Sequence, residues 1–147
     1  MADTTLRSGS PGPVRPNTFR SGNHISNGIS VDEGMAVTLF DEVVFSQANA
    51  ANTANVAGLA ATSGEFPGSV DIQYAGPFEM PAAQWDAITG QSGGLTAHAP
   101  YYLSPTTPGH LTTTKVTSGG NWNTPIGFAL NATTLMIQIG TAIGPLS

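Results

Sequence analysis

The chain has no cysteine and very little charge. Without cysteine there is no disulfide framework and no thiolate metal site, and synthesis in a reducing cytosol is the compatible setting. Charged residues make up 9% of the chain, against roughly 25% in ordinary soluble domains. From Ala87 to Ser147 the only charged side chain is Lys115. A solvent-bathed surface normally scatters both signs of charge. This half is therefore either clothed in Thr, Ser and Asn or meets other protein chains. No run of about 18 apolar residues occurs, so no membrane partner is expected. No apolar run follows the basic residues near the start, so no secretory signal is expected either. A net charge of −5 argues against a nucleic-acid partner.

The 147 residues, 39% of them hydrophobic, suit one domain with a modest core. The 18 Gly and 11 Pro call for many turns and few long helices. Charge is unevenly placed. Arg7, Arg15 and Arg20 all fall in the first twenty positions, and eight of the nine acids lie between Asp32 and Asp86. Residues 1–30 read as an extended arm, because Ser8 to Pro13 and Arg15-Pro16-Asn17 remove backbone donors and restrict the preceding residues. Arg7, Arg15, Phe19 and Arg20 are its candidate partner-binding residues: arginine pairs with carboxylates, and Phe19 is an isolated apolar anchor.

Residues 31–147 read as the body. Strands are expected over 35–40, 43–45, 56–61, 69–75 and 77–81, and three or four more toward the C-terminus. Pro81 to Thr89 is the best helix candidate, with Pro81 in the first turn and Trp85 and Ile88 on one face. Strands and turn clusters at this spacing predict an all-β fold, a small β-barrel, β-tulip or sandwich with one short helix. A degenerate repeat joins about 35–76 to about 99–140. Val43-Val44-Phe45-Ser46, Ala57-Gly58-Leu59-Ala60 and Val70-Asp71-Ile72-Gln73 match Tyr101-Tyr102-Leu103-Ser104, Ile126-Gly127-Phe128-Ala129 and Leu135-Met136-Ile137-Gln138. The matched halves nominate Phe45, Leu59, Ile72, Leu103, Phe128 and Ile137 as inward-facing.

Catalytic and cofactor chemistry finds no foothold, and neither a catalytic residue nor a cofactor is expected. His24, His98 and His110 have no ligand-spaced partners, so no metal site is expected. Asp32-Glu33 and Asp41-Glu42 are adjacent pairs, which on a strand point to opposite faces. There is no G-x-S-x-G elbow and no P-loop. Trp85 is expected in the core. Trp122, in a Gly/Asn loop, is the candidate exposed contact.

The order Ala87 to Thr96, Pro100 to Ser104, Pro108 to Thr113, Pro125 to Leu130 and Thr133 to Leu135 resembles a module of tailed-bacteriophage structural proteins. Ala57-Gly58-Leu59-Ala60 is in the same style. Over roughly residues 30–143 the chain resembles capsid decoration (cement) proteins with a small β-barrel or β-tulip body. The resemblance implies a non-enzymatic virion protein on the capsid surface. It would be made in the host cytoplasm, act as a homotrimer and stabilise the shell by binding the major capsid protein. The Pro/Arg arm is an addition to the minimal body. The alternative is a tail or head-fibre adaptor; a glycan-binding form of it would use Trp122 and Tyr101 as exposed platforms.

Overall fold

The computed structural model describes residues 17–22 and 24–147. Arg7 and Arg15 lie outside them. The described chain is mostly β, with one short helix.

In chain order the first strands are β1 (Thr18–Arg20), β2 (Ser30–Val31), β3 (Ala36–Leu39), β4 (Val43–Phe45), β5 (Gly58–Ala60), β6 (Gly64–Glu65) and β7 (Asp71–Gln73). After β8 (Ala75–Glu79) comes the helix α1 (Ala82–Thr89). Strands β9 (Pro100–Leu103), β10 (Leu111–Thr112), β11 (Pro125–Ala129) and β12 (Thr134–Gln138) complete the fold. Pro81 precedes α1, where its missing N–H is no loss. Gly90 ends the helix in the left-handed conformation that glycine adopts at little cost.

Two five-stranded sheets hold the core, β1-β7-β5-β3-β4 and β10-β9-β11-β12-β8; β2 and β6 form a small ribbon. All their pairings are antiparallel. No ladder joins the two large sheets among the described residues, so the arrangement is layered rather than a closed barrel.

The two sheets have the same topology. In each, the first strand of the set lies at an edge beside the last. The last pairs with the fourth, the fourth with the second, and the second with the third at the far edge. The registers agree residue by residue. Ala60 opposes Ile72 as Ala129 opposes Leu135. Phe19 opposes Ile72 as Phe78 opposes Leu135. Val37 opposes Gly58 and Phe45, and Tyr101 likewise opposes Gly127. β5 and β7 thus correspond to β11 and β12, as the Gly-Leu-Ala and Gly-Phe-Ala match suggests. The match of Val43–Ser46 to Tyr101–Ser104 does not hold, because β9 corresponds to β3 and β4 to β10. The Ile-Gln match is offset by two positions, placing Ile72 level with Leu135 rather than Ile137.

The layers face the same way. Val37, Val43, Ala60 and Ile72 of the first sheet pack under Ile25, Val31 and Val70 in one apolar cluster. Their counterparts Tyr101, Leu111, Ala129 and Leu135 lie in the main core. That core also takes Ala36 and Leu59 from the reverse side of the first sheet, with Phe78, Met80, Trp85, Ile88 and Leu95. The order through the molecule is therefore covering segment, first sheet, second sheet, open face.

Four of the six residues expected to face inward, Leu59, Ile72, Leu103 and Ile137, are buried. Phe45 and Phe128 are only half-buried. Phe45 packs at the margin of the smaller cluster. Phe128 is level with Leu59 in the repeat, but among the described residues no third sheet lies on its side of the second sheet. The expected arm also divides differently: Thr18–Arg20 pairs with β7, and Ile25 is fully buried. The described residues Thr18–Arg20 and Ile25 thus lie on the body.

Candidate interaction surface

The open face of the second sheet is built by alternation. Along β12, Leu135 and Ile137 are buried while Thr134, Met136 and Gln138 point outward. Across it, Phe128 opposes Met136 and Met136 opposes Pro77. On β9, Tyr101 and Leu103 are buried, and Pro100 and Tyr102 take the outer side. Between Pro125 and Gly127 the register with β9 shifts. Ile126 is the extra residue of this bulge, and it is buried in the core.

A shallow depression of about 340 Å³ lies on this face, lined by Pro100, Tyr101, Tyr102, Lys115, Asn123, Pro125, Gly127, Phe128 and Gln138. Outer positions of a half-exposed antiparallel strand normally carry polar residues; here Thr134 and Gln138 are polar, but Pro100, Tyr102, Phe128 and Met136 between them are not. Glu79 at the end of β8 and Lys115 are the charges nearest this sheet in sequence. The sequence reading missed Tyr102, Pro100 and Pro125. Apolar residues on both parities of Pro100–Leu103 signal a strand covered on both faces, and the pattern alone does not distinguish that from an open apolar face.

The expected contact residues lie elsewhere. Phe19, 38% exposed, stands beside Tyr74, 48% exposed, with ring centroids 6.1 Å apart. Arg20 Nε is 2.9 Å from Asp71 Oδ1, its cross-strand neighbour. The pair is exposed, so it fixes the guanidinium more than it stabilises the fold. Phe19 and Arg20 are thus held on the β1 edge, away from the depression. Trp122 is half-buried and packs against the main core. Gly144 lies so close that a Cβ there would meet Trp122 Cδ2 at 2.8 Å. Tyr101, the second aromatic of the glycan-binding alternative, is fully buried. Its hydroxyl donates to Gln91 Oε1 at 2.6 Å and accepts from the Thr96 N–H at 2.8 Å. Core packing and these bonds withdraw it from any sugar-stacking role.

Titratable groups are dispersed. His24 Nε2 lies 2.8 Å from Glu42 Oε2, and the His24 ring meets Phe66 edge-on at 5.5 Å. Among the described residues no three His, Asp or Glu side chains converge as a metal-holding group. His110 lines a second depression of about 260 Å³ with Asp32, Glu33, Ser63 and Gln84. Burial pushes its pKa below the usual histidine value. The unfolded chain therefore binds this proton more readily, and stability present above about pH 6.5 is lost as pH falls through the folded-state value. Thermal melts at about pH 7.5 and about pH 5 should show a smaller fall for His110→Gln than for the native chain. An equal fall would show that His110 contributes none of it.

No protein-family description matches this chain, and no curated protein sequence matches it. No helix among the described residues is long and apolar enough to cross a membrane.

Proposed function

We propose that this chain is a non-enzymatic virion structural protein that binds the outer surface of a phage capsid and stabilises the shell. The observation that carries the reading is the apolar patch of Pro100, Tyr102, Phe128 and Met136 on the outer face of the second sheet, where a solvated sheet face is mostly polar. Such a face is suited to contact with other protein chains. The motif resemblance to decoration proteins supplies the kind of partner, the major capsid protein, and a homotrimer as the assembly. A closed ring buries matching faces without forming fibres. Phe19 and Arg20 on the β1 edge would add an aromatic and basic contact to acidic coat-protein surface, with Arg7 and Arg15, which precede them in sequence, as further basic candidates.

Stabilisation follows by linkage, since a protein that binds only the assembled shell raises the shell's stability by mass action. Virions with and without the protein should differ on heating, those lacking it releasing their genome at lower temperature. A mass-spectrometric count should place the chain at hundreds of copies per virion. Equal heat stability, a handful of copies and co-purification with tails would replace this reading by the tail or head-fibre adaptor.

A further inference from the structure

Two lysine or arginine side chains occur among the described residues, Arg20 and Lys115. Arg20 is paired with Asp71, and the other ion pair joins His24 to Glu42. Lys115 is exposed and has no carboxylate partner among the described residues. Its backbone is nevertheless fixed from both sides. The Thr114 N–H donates to Thr112 Oγ1 at 3.1 Å, and the N–H of buried Val116 donates to Asn123 Oδ1 at 3.2 Å. Lys115 stands where two depressions meet. One is the apolar depression beside Tyr102, Pro125 and Phe128. The other, of about 360 Å³, takes hydroxyl groups from Thr106, Thr112, Thr114, Thr117 and Ser118.

The far corner of the same face carries the opposite charge. Glu79 is exposed at the end of β8, on the outer side with Pro77, and opposes Thr134. Met136 opposes both Pro77 and Phe128, so the middle of the face is apolar. No acid follows Asp86 in the chain. A partner rich in carboxylates is therefore repelled over the first sheet and admitted at Lys115.

We propose that Lys115 receives a carboxylate of the coat-protein segment that seats on this face. The proposal rests on the capsid-binding reading and names the chemistry its partner must carry. That segment is extended, with an Asp or Glu at the Lys115 end, apolar side chains over Tyr102, Phe128 and Met136, and no acid at the Glu79 end. From β9 to β8 is three strand spacings, about 14 Å, which about four or five residues of extended chain cross. The hydroxyl groups beside Lys115 can donate to the same carboxylate without competing for its charge. Apolar contacts closing around the pair exclude water and strengthen it.

Lys115 is the only lysine of the chain. A zero-length carbodiimide cross-linker, which joins an amine to a carboxylate as an amide, therefore reports on this side chain and the N-terminal amine, and peptide mapping separates the two. Shells assembled without the protein are mixed with the purified full chain and cross-linked. Mass spectrometry should find Lys115 joined to an Asp or Glu of the coat protein. Binding to the same shells should weaken about tenfold for Lys115→Gln, depend less steeply on salt, and be kept by Lys115→Arg. Lys115→Gln binding as tightly as the native chain would overturn the inference and leave capsid binding in place. So would a Lys115 that cross-links only to carboxylates of this chain or its copies, or to none. A native chain that does not bind the shells would overturn the capsid reading and the inference with it.

Discussion

Replacing Trp85 by Ala is expected to cost about 3–5 kcal/mol, a large part of the stability of a domain this size. Trp85 is fully buried on the one helix, and its Nε1 donates to Thr133 O at 2.8 Å. Its indole meets the Phe78 ring edge-on at 5.9 Å. The substitution removes the packing that joins α1 to β8 and one of the two hydrogen bonds at the Thr133 carbonyl, which keeps the Met80 N–H at 2.9 Å. Trp85→Phe should recover much of the packing but not the bond, and so fall between Ala and the native residue. Urea unfolding checks both. An Ala variant within about 1 kcal/mol of native would mean that the helix is not part of the core. Phe45→Ala and Phe128→Ala should cost clearly less than Phe78→Ala, because both rings are already partly in solvent.

The second large effect is expected at two glycines that occupy the same place in the two sheets. A Cβ at Gly58 would press into the Gln73 carbonyl, and one at Gly127 into the Met136 carbonyl. Both obstacles are backbone of the adjacent strand, which cannot swing aside as a side chain does. Gly58→Ala and Gly127→Ala should each cost about 1–3 kcal/mol or more, with strands forced apart. Gly120→Ala is the control. It has open space around it and only a positive φ of 74° to oppose a side chain, so its cost should be about 1 kcal/mol. Thermal melts of the three rank them. Gly127→Ala no worse than Gly120→Ala would contradict the close approach of β11 and β12.

Those glycines show what was legible in the sequence. Gly58 and Gly127 sit in Gly-Leu-Ala and Gly-Phe-Ala because the approach of neighbouring backbone excludes any other residue, and short local constraints survive divergence. The helix was legible for the same reason: Pro81, the Trp85–Ile88 spacing and Gly90 are local signals. The facing of the repeat was not. Leu59 and Phe128 match in sequence and in register, but Leu59 has a second sheet above it and, among the described residues, Phe128 does not. No local pattern records which layer of a stack is the last. Nor did composition reveal that Phe19 and Ile25 belong to the body, since both stand alone among residues that favour turns. The outer face of β9 and β11 was hidden because apolar residues on both parities read as a buried strand.

Because the two sheets face the same way, the fold has the logic of an unfinished array. Each layer offers its reverse side as a seat for the next, as repeats do in a solenoid. Growth is stopped at one end by Ile25 and Val31, which occupy the seat on the first sheet. A molecule deprived of that cover would carry two different apolar faces on opposite sides, and a contact between unlike faces extends into open filaments unless its rotation closes a ring. On this view, the short segment between β1 and β3 is a terminator, and keeping the particle discrete is as much its task as keeping the sheet dry.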